Sequence, residues 1–133
     1  MFRKSINALA CVVSLGIGAL IYVLFGNGTY IFDFVQSFLS FETVALSDEL
    51  SFMRFYFADY PWALSLACSL VLVFGEGSRR VILAVSISVA FGIIWEIFQE
   101  LQVVNGTSDI WDVVAYFVAG VTAIIINLKE FER

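Results

Sequence analysis

Four carboxylates, an amide and a turn stand together in the second half of this chain. The stretch reads Glu96-Ile97-Phe98-Gln99-Glu100-Leu101-Gln102-Val103-Val104-Asn105-Gly106-Thr107-Ser108-Asp109-Ile110-Trp111-Asp112 and contains no basic residue. Glu96, Gln99 and Glu100 have the i, i+3 and i, i+4 spacings that share one helical face. Asp109 and Asp112 repeat the i, i+3 spacing. Carboxylates at the edge of apolar runs are costly unless something satisfies or uses them. Close carboxylates can share a proton and act as acid and base, hold a hard cation through oxygen, or bind a cationic or polyhydroxyl head group. The chain has no histidine, and neither cysteine lies near the cluster, so no nucleophile–base pair accompanies it. Phosphate-loop and EF-hand spacings are also missing.

Part of the cluster has a structural explanation. Asp109, with Asp112 three residues on, reads as an acidic variant of the capping box at a helix start. Thr107 and Ser108 are equally good caps. Asp112 lies one turn further in, where it enters apolar surroundings. A carboxylate at Glu96, near a helix C-terminus, opposes the dipole and has no capping role. It reads as functional or as a member of a buried polar network. Gln99 is placed to hydrogen-bond to Glu96 or to the last helix. The candidate polar cluster is therefore Glu96, Gln99, Asp109, Asp112 and Thr107, joined by Asp59. A divalent cation such as Mg²⁺ or Ca²⁺, if one is held, would fall to Glu96, Asp109 and Asp112.

The elements that position these residues follow from composition. Of 133 residues, 61% are hydrophobic and only 14% charged, against about 45–50% and about 25% in soluble domains. The expected fold is an all-α membrane protein with four transmembrane helices and an interfacial helical segment between the first and second. The chain reads as a single membrane domain, 1–133. Its spans cover about 5–26, 59–75, 80–101 and 108–128, with the interfacial segment over 29–58. Within that segment Ile31, Phe34, Phe38 and Phe41 share one helical face. Gly16 and Gly18 allow a neighbouring helix to approach the first span. Asp59 reads as the cap of a short second span with Pro61 in its first turn. Cys11 and Cys68 read as small apolar fillers. Ala115, Ala119 and Ala123 form a small-residue stripe on the last span.

Charge fixes the expected orientation. Arg3, Lys4, Arg79, Arg80, Lys129 and Arg133 fall on one side of a four-span topology and only Arg54 on the other. That bias predicts cytoplasmic termini. Nine of the twelve acidic residues, the cluster among them, then map to the outer half. The net charge of -5 argues against a nucleic-acid partner.

The pattern Glu96-x-x-Gln99, a short loop, then Asp109-x-x-Asp112 opening the last helix, resembles the VanZ-like family of small bacterial membrane proteins. The resemblance covers about residues 59–128. Gly106-Thr107-Ser108-Asp109 is similar to a loop variant carrying Gly-Thr-x-Asp, and Asp59-Tyr60-Pro61-Trp62 to a helix start of the same subgroup. The loop lacks the Arg often found there, Tyr116 stands near the family's Asn position, and Gly120 keeps its Gly. The resemblance implies a multi-pass protein of the cell envelope, in the bacterial cytoplasmic (inner) membrane, associated with glycopeptide-antibiotic (teicoplanin) resistance.

The functional expectation is a non-enzymatic envelope protein that binds an envelope lipid, a glycan-linked precursor or a partner protein through an outward acidic pocket. Two alternatives stay open. One is a membrane-embedded enzyme using paired carboxylates, with or without Mg²⁺ or Ca²⁺; the other is an H⁺- or cation-binding subunit of a transport complex. Membrane lipids, further copies of the chain or a larger membrane complex are the expected partners.

Overall fold

The computed structural model describes residues 2–25, 34, 36–38, 58–75 and 77–130. These residues are all-helical, with no strand among them. They form α1 (Phe2–Phe25), α2 (Asp59–Phe74), α3 (Ser78–Glu100) and α4 (Ile110–Ile126), followed by a 3₁₀ turn, Leu128–Glu130. Two of the helices are long and apolar enough to cross a membrane: α1, over Lys4–Ile21, and α3, over its full 23 residues. The other two are shorter, with 16 residues in α2 and 17 in α4. At 1.5 Å per residue they reach roughly 24–26 Å, short of a ~30 Å hydrocarbon core. The last helix was expected over 108–128. It is narrower because Asp109 caps its start and Asn127 ends it.

Of the expected interfacial segment, only Phe34, Gln36, Ser37, Phe38 and Ala58 lie within the described residues. Phe34 and Phe38 meet edge-on with ring centroids 5.1 Å apart. The Ser37 hydroxyl donates to the Phe34 carbonyl at 2.6 Å. Ile31, Phe41 and the aromatic residues 52–57 lie outside the described part.

The short helix α2 is the centre of the bundle and packs against α1, α3 and α4, while α3 also packs against α4. The core is built from small side chains. Ala63, Leu64, Ala67 and Cys68 of α2 meet Val85 of α3 and Tyr116, Ala119 and Ala123 of α4. A second cluster, Val71, Val81 and Ala84, closes the α2–α3 turn. The alanine stripe of the last span is thus consumed inside the bundle rather than left as a surface for a further partner. Cys68 is buried as an apolar filler, while Cys11 lies 3.4 Å from the Ser65 hydroxyl. Gly18 packs on the Trp62 indole, as a close helix approach requires, but Gly16 faces open space.

Large apolar side chains point outward: Leu9, Val12 and Leu20 on α1, Leu83, Phe91 and Ile94 on α3, and Phe117, Val121 and Ile125 on α4 are all exposed. Exposed apolar surface of this extent marks contact with lipid or with other protein.

One end of the bundle is fastened by an amide pair that the sequence reading missed. Asn7 donates to Asn127 at 2.9 Å and Asn127 donates back at 3.1 Å. Asn127 also donates to the Ala123 carbonyl at 2.8 Å. Both residues are buried. The pair brings the start of α1 to the end of α4. Arg3, Lys4, Arg79, Arg80 and Lys129 belong to this end, and the acidic cluster belongs to the other.

Candidate functional site

The acidic end is built on the α3–α4 hairpin. The last turn of α3 closes with a double reversal: Val103 N–H donates to Phe98 at 2.9 Å and Gln102 N–H to Gln99 at 3.0 Å. This is the Schellman pattern, in which the residue just past the helix takes a left-handed conformation. Gln102 takes it, with φ 56°. The chain then loops back and enters α4 at Asp109.

Asp109 is the N-cap of α4. Its backbone is extended and its side chain accepts from the Trp111 N–H at 3.0 Å. The capping expectation is met in geometry. The backbone N–H of the same residue points the other way and donates to Glu96 Oε2 at 3.1 Å. The second oxygen of Glu96, Oε1, accepts from the Tyr116 hydroxyl at 2.7 Å. Glu96 is only 5% exposed, yet both its oxygens have donors. A buried carboxylate needs such donors to offset its lost hydration. Of the two roles foreseen for Glu96, the geometry gives it membership of a buried polar network: it locks α3 onto the start and second turn of α4.

Gly92 makes that lock possible. It lies one turn before Glu96, and a β-carbon there would clash with the Tyr116 ring. The pattern Gly92-x-x-x-Glu96 on α3 therefore faces Asp112-x-x-x-Tyr116 on α4, a gap and an acceptor opposite an acid and a phenol. Tyr116 and Gly92 are the site residues that sequence reasoning did not assign. The signal available was this pair of i, i+4 spacings on helices joined by a short loop.

Asp112 has a different partner. Its carboxyl is buried and lies beside the carboxyl of Asp59 on α2. Its Oδ1 is buried and takes no hydrogen bond from any N–H or hydroxyl. Asp59 is not the helix cap expected from the sequence. Ala58 occupies that position, with helical dihedrals and no side-chain cap, and Asp59 is the first helical residue. Freed from capping, its side chain faces α4. Pro61 lies in the first turn, where its missing N–H is tolerated.

The remaining expected members sit apart. Gln99 does not bond to Glu96. It packs over Gly106 in the loop, and its Oε1 is buried without a donor. Gly106 has φ 143° and no room for a side chain beneath Gln99. Thr107 and Glu100 are exposed. Among the described residues, no group of three carboxylates, thiols or imidazoles is arranged to hold a metal ion. Glu96 and Asp109 are taken up by separate hydrogen bonds, and Asp112 stands beside Asp59.

Between α2, α3 and α4 lies a cavity of about 430 Å³, open to the surface where Phe91 and Trp95 are exposed. Trp62, Phe91, Trp95 and Tyr116 line it, with Asp59 and Ser88 as its polar members. Ser88 is already committed, donating to the Ala63 carbonyl at 3.0 Å. Comparison with known proteins finds no matching family model, curated protein or solved structure.

Proposed function

We propose that this chain is a four-span integral membrane protein of the bacterial envelope, with both termini cytoplasmic, that binds an envelope lipid or lipid-linked precursor at its outward acidic end. The observation that carries the reading is the Asp59–Asp112 carboxyl pair, with Asp59 lining an aromatic cavity of about 430 Å³. That volume falls in the usual range of small-ligand sites, roughly 300–1,000 Å³. The membrane reading draws support from the small-residue core, the large apolar exterior and the two helices of spanning length. Orientation draws support from the basic residues gathered at the end opposite the cluster. The VanZ-like resemblance belongs to the same proposal, through Glu96, Gln99, Asp109 and Asp112. Its acidic motif here does two jobs: Glu96 and Asp109 hold the hairpin, and Asp112 with Asp59 forms the binding pair.

The test is extraction of the full chain in its native lipid with a lipid-retaining polymer, followed by mass spectrometry of what stays bound. Wild type should retain one lipid class above its abundance in the membrane, and Asp112→Asn should lose that enrichment. Retention of the bulk lipid mixture by both proteins would end the proposal.

A further inference from the structure

The cavity's lining restricts what the acidic end can hold. Four aromatic side chains, Trp62, Phe91, Trp95 and Tyr116, supply most of its polarisable wall. The Tyr116 hydroxyl is occupied by Glu96, and the Ser88 hydroxyl by the Ala63 carbonyl. Asp59 is therefore left as the acidic group of the lining. An anionic phosphate would meet a carboxyl with no cation beside it, since the described Lys and Arg residues belong to the opposite end. Aromatic faces beside a carboxylate suit an ammonium group, which is attracted by the ring quadrupoles and by the carboxylate.

We infer that the cavity between α2, α3 and α4 is a cation site that takes an ammonium group, primary or quaternary, with Trp62 and Trp95 as walls and Asp59 as counter-ion. The inference rests on the lipid-binding reading above and narrows it to an amine-bearing head group. The same chemistry occurs in a zwitterionic phospholipid and in a free amine, so the test separates the two.

Two of the chain's three tryptophans line the cavity, which makes intrinsic fluorescence a direct report. The full chain in a neutral detergent is titrated with choline and with 3,3-dimethylbutanol, which has the same shape and no charge. Choline is expected to bind about tenfold more tightly, the scale of a desolvated cation–aromatic contact. A parallel titration uses short-chain phosphatidylethanolamine and phosphatidylglycerol with identical acyl chains. Preference for phosphatidylethanolamine over both phosphatidylglycerol and choline identifies a lipid head group, whereas choline binding as tightly as the lipid identifies a free amine. Asp59→Asn should remove the preference for charge about tenfold. If that variant does not fold, the pair Trp95→Phe and Trp95→Leu decides, since the first should keep the preference and the second lose it. Equal binding of choline and its neutral analogue overturns the ammonium site. Equal binding of the two phospholipids, with retention still lost in Asp112→Asn, overturns it too but leaves the lipid-binding reading standing. Failure to retain any lipid class overturns the lipid-binding reading, and equal binding of choline and its neutral analogue besides overturns both.

Discussion

The hydroxyl of Tyr116 donates to Glu96 Oε1 at 2.7 Å, joining the second turn of α4 to the last turns of α3. With the Asp109 N–H on the other oxygen, Glu96 is a clamp rather than an open ligand. Removing one donor leaves a buried acceptor short. Tyr116→Phe should therefore cost about 1–3 kcal/mol. Glu96→Gln should cost a similar amount, because an amide presents an N–H to one of two donors. The double variant should cost less than the sum. Unfolding of all four proteins in mixed micelles measures the coupling, and strict additivity would show that the two residues do not act together.

Gly92 gives an independent reading of the same lock. Alanine there meets the Tyr116 ring, and overpacking of this kind costs about 1–3 kcal/mol. Gly16→Ala is the matched control, since nothing lies within 4 Å of its β-carbon position. It should be neutral or slightly stabilising. Thermal midpoints of the two variants in one detergent make the comparison, and equal values would remove the claim of close approach.

Asp112→Asn separates binding from folding. The amide brings its own N–H to Asp59, so the contact can persist in the variant. The helical content and thermal midpoint should stay close to wild type by circular dichroism. Lipid retention should fall, as set out above. A collapse of the fold would make the Asp59–Asp112 contact a structural element instead.

Gln102 carries a backbone cost that can be relieved. It sits at φ 56°, where glycine is the usual residue at a helix end. Gln102→Gly should stabilise the protein by about 0.5–1 kcal/mol. A lowered unfolding midpoint would indicate that the Gln102 side chain has a role that offsets its strain.

Local signals were legible in the sequence and tertiary ones were not. The ends of α1 and α3 fall within a few residues of the apolar runs, because hydrophobic run length sets where a helix is useful. Asp109 was readable as a cap because capping involves neighbours two residues apart. Asp59 was misread for the same reason: it stands where a cap should be, and only the packing of α2 on α4 reveals that its partner is Asp112. Tyr116 looked like one more aromatic, since its hydroxyl matters only once Gly92 admits the ring. Asn7 was lost within an apolar run whose mean it scarcely changes, and its partner lies 120 residues away.

That amide pair bears on the order of assembly. Asn7 leaves the ribosome with the first helix and Asn127 near the end of the described chain, so the reciprocal bond cannot form until synthesis of α4 is complete. The bundle's first helix packs on α2 but is latched by its last, and a chain stopped before Asn127 lacks that latch.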